Sequence, residues 1–407
     1  MKQGSLAQYF DGVAAKRLSA VEVDAIKSNQ HEFNGVTGLK KLLGEPQGRV
    51  RYTARFLYIT DADPEPVIED GFLTWYDARQ KARIERGVQR WEYRLYFPTN
   101  RASQRAVAGD LLVIAKRPDA TLLAIVAERD SSIAQQLIWL FGLSDLERSD
   151  FFVREEEALG KERVEITSRL ILDSIGVAVE ETAENFLEAM LAKFGNRFPS
   201  TREFSAYARS TLPDVQPREG PDAALMEWVD REELLFRTLE RHIVTERLAK
   251  GFGSDVDAFM DFSLSVQNRR KSRAGLSLEN HLSVVFTELG ARHAHAALTE
   301  RRSRPDFLFP GHAEYHDSAF DASKLTMLGA KSTCKDRWRQ VLAEAERIET
   351  KHLLTLEAAI SVNQTDEMRA QKLQLVLPEK LHGSYVSTQR AWLLTVADFV
   401  SLVLDRQ

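Results

Sequence analysis

The chain has 407 residues and a mass of 46.2 kDa, with 55 Lys and Arg against 60 Asp and Glu, for a formal net charge of −5. That length is room for two or three domains. A composition of 43% hydrophobic and 28% charged residues excludes a disordered, collagenous or membrane-embedded chain.

Cys334 is the one cysteine, so an intrachain disulfide is excluded and a cytoplasmic location is expected. The opening MKQGSLAQYF lacks the apolar core of a signal peptide. Mild acidity argues against a wholly basic nucleic-acid coat and leaves local basic patches open.

Residues 1–150 read as β. In RVRYTARFLYIT, Val50, Tyr52, Ala54, Phe56 and Tyr58 share a face, and WEYRLYF repeats the pattern with Trp91, Tyr93 and Leu95. DLLVIAK and TLLAIVAE are short apolar runs bounded by turn residues, so a barrel or sandwich is predicted. Residues 151–220 read as a helical connector: EEEALGKERVEITSRLI and TAENFLEAMLAKF have helical spacing, and the Pro-rich TLPDVQPREGPDAA reads as a linker. Over 221–407, helices at 224–250, LSLENHLSVVFTEL and CKDRWRQVLAEAERIE alternate with strands in FDASKLTMLGAKST, TKHLLTL and LQLVLP, which predicts an α/β core.

Four residues in this last region carry chemistry. Asp306 heads the apolar run FLF, Lys331 ends a strand 25 residues later, Glu344 lies 13 residues beyond, and Glu279 lies 27 residues before Asp306. Phosphodiester hydrolysis calls for a divalent cation held by carboxylates, with a lysine to orient water and offset charge. Many nucleases carry an acid two residues before that lysine; here the position is Gly329. Either the site is dead or a neighbouring helix supplies the missing carboxylate. On a helix over 338–348, Glu344 and Glu346 flank opposite edges of the stripe Trp338, Val341, Leu342, Ala345 and Ile348, each about 40° away. Geometry alone does not choose between them, and both also read as solvated carboxylates.

Basic residues surround this set. NRRKSRAG brings Arg269, Arg270, Lys271 and Arg273 just before the Glu279 helix, and RRSR brings Arg301, Arg302 and Arg304 just before Asp306, as phosphate clamps or solvated loops. Lys335, Asp336 and Arg337 open a helix, where Arg suits guanine and Asp suits cytosine. In the N-terminal half, one donor-rich segment holds Lys16, Arg17 and His31, and another holds Lys81, Arg83, Glu85 and Arg86. His293 and His295 are only half of a zinc site, Cys334 reads as a buried filler, Trp91 and Trp338 read as core, and no nucleotide-binding fingerprint is present.

NRRKSRAGLSLENHL, RPDFLFP, AEYHD and AKSTCKDRWRQVLAEAERI resemble the catalytic half of the EcoRII family of type II restriction endonucleases, from about residue 194 onward. The resemblance implies a restriction-endonuclease-like fold, a variant of the PD-(D/E)XK type, with an active site of Glu279, Asp306, Lys331 and Glu344. It selects Glu344 over Glu346, makes Gly329 normal for the family, and implies Mg²⁺ held by Asp306, Glu344 and Glu279. It also implies that Lys335, Asp336 and Arg337 read CC and GG around a central A·T pair in duplex DNA. A near-palindromic site is matched by a two-fold protein, so the catalytic domain is expected to form a homodimer.

More weakly, KRLS, His31 and the run Lys81, Arg83, Glu85, Arg86 ahead of Trp91 resemble the family's N-terminal β pseudobarrel. That domain binds an effector copy of the site and can inhibit cleavage. One basic position of the family falls on Gly87 here. The rival readings are a catalytically silent DNA-binding protein and a nicking or modification-dependent nuclease.

Overall fold

The computed structural model describes residues 9–23, 31–33, 36–46, 48–63, 65–87, 89, 91–143, 146, 151–155, 172, 184–334 and 337–407. The chain divides into two compact units. Unit 1 comprises residues 1–164, 168–178 and 359–363, and unit 2 the remainder. The helix expected over EEEALGKERVEITSRLI lies almost wholly outside the described residues.

Among the described residues, unit 1 has eight strands: β1 Gly12–Arg17, β2 Glu32–Phe33, β3 Val50–Ile59, β4 Val67–Asp77, β5 Tyr93–Tyr96, β6 Leu111–Lys116, β7 Leu122–Ala127 and β8 Phe152–Glu155. Their order is β2-β5-β4-β3-β7-β6-β1-β8, with β3–β7 the parallel pair and the other neighbours antiparallel. Phe33 on edge strand β2, and Phe151 and Val153 at edge strand β8, pack into one core with Ala54, Phe56, Leu73, Trp75 and Leu112. Both edges therefore line one interior, and the sheet is rolled into a pseudobarrel. Ala54, Phe56 and Tyr58 point into this core, as their alternation predicts. A short helix, α1 (Gln80–Arg86), ends at Gly87, whose φ of 66° supplies the left-handed cap.

Unit 2 combines a helical layer with a five-stranded sheet. Helices α2 (Glu184–Phe194), α3 (Thr201–Ser210), α4 (Pro221–Lys250) and α5 (Val256–Glu288) form the layer. Met190, Phe194, Phe204 and Ala208 share a core with Leu235, Phe236 and Leu239, so α2 and α3 fold with unit 2 and not as a separate connector. The sheet has order β13-β12-β11-β10-β9, from β9 Ala294–His295, β10 Phe307–Phe309, β11 Thr326–Lys331, β12 Lys351–Thr355 and β13 Leu373–Val376. The pairs β9–β10 and β10–β11 are antiparallel, whereas β11–β12 and β12–β13 are parallel.

β11 is central, and every residue from Thr326 to Ala330 is buried, which is why its sequence is an unbroken apolar run. Lys331, at the strand's C-terminal end, is its one partly exposed residue. α5 lies on this sheet through Phe286, whose ring meets Phe307 and Phe309 at 5.1 Å. Burying each such side chain contributes about 1.5–3 kcal/mol.

Candidate active site

Four elements converge at the C-terminal end of β11. α5 buries Leu278, Leu282 and Val285, which leaves Glu279 at the margin of that stripe with a side chain 16% exposed. Asp306 immediately precedes β10, one step beyond the Phe307–Leu328 pair. Its Oδ2 accepts from the Lys331 ammonium and from the Ala330 amide, both at 2.7 Å. This charge-assisted pair fixes acid and lysine on adjacent strands.

Glu344 reaches the same place by a route the sequence did not give. The helix expected over 338–348 spans only Trp338–Leu342 (α6). Beyond it the chain turns, with Ala345 at φ 51°, and the buried Lys351 ammonium donates to the carbonyls of Ala345 and Ile348. Glu344 sits in that turn. Burial and the Asp306 charge push its carboxyl up to about 7, against the opposing pull of Lys331 and Lys351. Its Oε2 is buried without a hydrogen-bond partner. Glu346 is instead committed to Arg301 at 2.9 Å on the surface.

Glu279 is also held above the usual carboxylate range, first by burial and then by Asp306, while His295 opposes the shift. Three acids thus surround one lysine, and two of them are raised by the third. Among the described residues, no three Asp, Glu, His or Cys side chains stand as a ready-made metal cage; the Asp306 carboxylate is drawn to Lys331 instead. The unpartnered Oε2 of Glu344 is nevertheless the kind of orphaned buried acceptor that a cation satisfies.

Sequence reading missed three supporting residues. His295 donates from Nε2 to Glu279 Oε2 at 2.8 Å. Lys351 holds the Glu344 turn, and Glu357 accepts from the Cys334 amide in the loop after Lys331. Only the strand-like spacing of RHAHAA hinted at the first. His293 is satisfied internally, by Ser283 Oγ and the Ala291 carbonyl, each at 3.0 Å. Cys334 is fully buried.

Several expected DNA contacts are placed differently. Arg269, Arg270, Lys271 and Arg273 lie inside α5, not in a loop before it. Arg273 is 5% exposed and pairs with Glu232 and Glu233, so it is an interior residue and not a phosphate clamp. Arg270 bonds Glu240, and Arg269 stacks over Phe198, 4.1 Å from the ring centroid. Lys335 and Asp336 lie outside the described residues, and Arg337 is exposed beside them. The helix they precede has only five residues, too few for a strong dipole.

In unit 1, Lys16 is 1% exposed and pairs with Glu22 at 2.9 Å, which removes it from any surface contact. Arg17 reaches the Gly109 carbonyl at 3.4 Å, and His31 Nε2 lies 3.4 Å from Thr99 Oγ1. Arg83 is drawn to Asp77 and over Trp91. Trp91 is 47% exposed, a platform for Arg83 and Tyr93 and not a core residue. Lys81, Glu85 and Arg86 are exposed on α1.

A mixed sheet with an acid and a lysine on adjacent strands, flanked by one further acid on a helix and another in the turn after a helix, defines a nuclease of the restriction-endonuclease type. The EcoRII C-terminal family matches residues 236–400. A type II restriction enzyme, EcoRII of Escherichia coli, is 34% identical over 404 residues, covering 97% of this chain and 93% of its own. The chain belongs to the EcoRII family of type II restriction endonucleases. Among solved structures, metal-depleted Ecl18kI in complex with uncleaved, modified DNA is 18% identical, covers 56% of this chain and 85% of its own, and has a TM-score of 0.45. The restriction endonuclease PspGI with substrate DNA is 13% identical over 51% of this chain and 93% of its own, with a TM-score of 0.44. Among the described residues, no helix is long and apolar enough to cross a membrane.

Proposed function

We propose that this endonuclease cuts a CCWGG-like site with Mg²⁺ held by Asp306, Glu344 and Glu279, and that Lys331 orients the attacking water. The observation that carries this reading is the buried, unpartnered Oε2 of Glu344, in a carboxyl raised by burial and then by the Asp306 charge and opposed by Lys331 and Lys351. Mg²⁺ prefers oxygen ligands, and when bound it would offset phosphoryl charge and favour hydroxide formation. Lys331 holds Asp306 through Nζ and would stabilise the scissile phosphate. Arg337, together with Lys335 and Asp336, would read C·G pairs. A homodimer through unit 2 matches a near-palindrome and cuts one strand per subunit.

Unit 1 would bind an effector copy of the site, with the exposed Lys81 and Arg86 supplying charge, and restrain cleavage until occupied. The test is a plasmid digest with the ends sequenced. Cutting next to CC/GG sites should need Mg²⁺ and vanish in Asp306→Ala and Lys331→Ala. Deleting residues 1–180 should keep or raise activity. Cleavage that persists in both substitutions, or sequence-selective gel shifts without cutting under any metal, would end the reading.

A further inference from the structure

β9 is only two residues long, yet it lies against both acidic residues beside the Lys331 strand, meeting Glu279 through its carboxylate and Asp306 through its backbone. Its backbone pairs His295 with Phe307, the residue after Asp306. The next amide, that of Ala296, donates to the Asp306 carbonyl at 3.0 Å. Its one polar side chain, His295, crosses to α5 and donates from Nε2 to Glu279 Oε2 at 2.8 Å. The imidazole is fixed from the side as well, edge-on to the buried Phe307 ring at 5.2 Å. One short strand therefore ties the acid on the helix to the acid on the sheet.

From this geometry we infer that His295 is a positioning residue for Glu279. It locks the carboxylate rotamer so that Glu279 and Asp306 present oxygens to a divalent cation together. The inference rests on the metal-site reading above and adds to it the residue that orients one ligand. The physical reason is entropic. A glutamate has three rotatable side-chain bonds, and holding them in one arrangement before the ion arrives removes that cost from binding. Partners that orient metal ligands in this way typically change affinity 10- to 100-fold when removed. His295 is 44% exposed at its side chain, so its replacement leaves the core intact.

The test uses the full-length protein and Mn²⁺, with free Mn²⁺ read by electron paramagnetic resonance in the presence of duplex DNA. His295→Ala should weaken Mn²⁺ binding about 10- to 100-fold, with metal-free DNA affinity unchanged. His295→Gln, whose amide N–H₂ can still donate to Glu279, should recover most of the loss, whereas His295→Phe should not. Wild-type Mn²⁺ affinity in His295→Ala, or equal loss in His295→Gln and His295→Ala, would overturn the inference. Asp306→Ala in the same titration separates the two claims. If it binds Mn²⁺ as wild type does, the metal-site reading itself fails; if it loses the ion while His295→Ala keeps it, only the role of His295 fails.

Discussion

A Cβ placed on Gly329 would stand 2.9 Å from Cγ2 of Val341 and 3.3 Å from its Cγ1. Gly329 is the strand position, two before Lys331, where many nucleases carry an acid. Here Val341 of α6 fills that space, and Leu353 Cδ1 closes it from the next strand at 3.6 Å. The glycine and the valine belong together: the helix packs close because the strand has no side chain there, and the Glu344 carboxyl lies in the turn after that same helix.

Gly329→Ala should therefore destabilise the protein by about 1–3 kcal/mol through overpacking, as urea unfolding would report. Adding Val341→Ala should recover part of that loss. Moreover, Gly329→Asp should not restore cleavage to Glu344→Ala unless Val341 is also shortened. A Gly329→Ala variant as stable as wild type would show that the helix yields at no cost.

The raised carboxyl of Glu344 has a stability consequence with a definite sign. Held at about 7 against an ordinary 4.5, it keeps a proton in the folded, metal-free protein that the unfolded chain has released. Stability contributed by this group is thus present below about pH 4.5, lost as pH rises toward 7, and absent above. Glu344→Gln, which cannot ionise, should exceed wild type at pH 8 in chelator by about 1–3 kcal/mol and match it near pH 4. Equal urea midpoints at pH 8 would count against a strained carboxylate.

Lys351 caps the carbonyls of Ala345 and Ile348 from inside the protein. Lys351→Met removes those donors, which should cost about 1–2 kcal/mol and loosen the turn that carries Glu344. Single-turnover cleavage should fall at least about 10-fold, an effect of misplacement, with DNA affinity retained. Wild-type rates would mean that the turn holds its shape without the lysine.

Arg273 belongs to a buried network. Glu232 joins it at 3.3 Å and takes His281 Nε2 at 2.9 Å, and Arg209 meets His281 Nδ1 at 3.0 Å. Arg273→Met leaves Glu232 and Glu233 short of a partner and should cost about 3–5 kcal/mol. At temperatures where the variant stays folded, the salt dependence of its DNA binding should match wild type, since no phosphate contact is lost. A shallower salt slope would return Arg273 to the DNA surface.

These residues also mark where the sequence was readable. The strands around Phe56, Lys331 and Leu375 follow from apolar runs and alternation, signals carried by adjacent residues. The partner of Arg273 lies 41 residues away, and nothing in NRRKSRAG shows that carboxylates wait on another helix. Lys16 alternates with apolar neighbours on β1 yet is neutralised by Glu22, six residues on. Beyond the early end of α6, the carbonyls of Ala345 and Ile348 meet Lys351, which arrives from the next strand. Local periodicity thus placed the sheet, whereas side-chain pairing across elements decided which charges face outward.

In the proposed site Glu344, supplied from beyond a neighbouring helix, completes the cation cage begun by Asp306 beside Lys331. Single-turnover cleavage of a CC/GG-containing duplex in Mg²⁺, comparing Glu344→Ala with Glu346→Ala in the full-length protein, tests it most directly. Glu344→Ala should lose about 10²- to 10³-fold, the order seen when one charge-stabilising group is removed, and Glu346→Ala should cut at a rate near wild type. Cleavage by Glu344→Ala at the wild-type rate, or loss confined to Glu346→Ala, would contradict it.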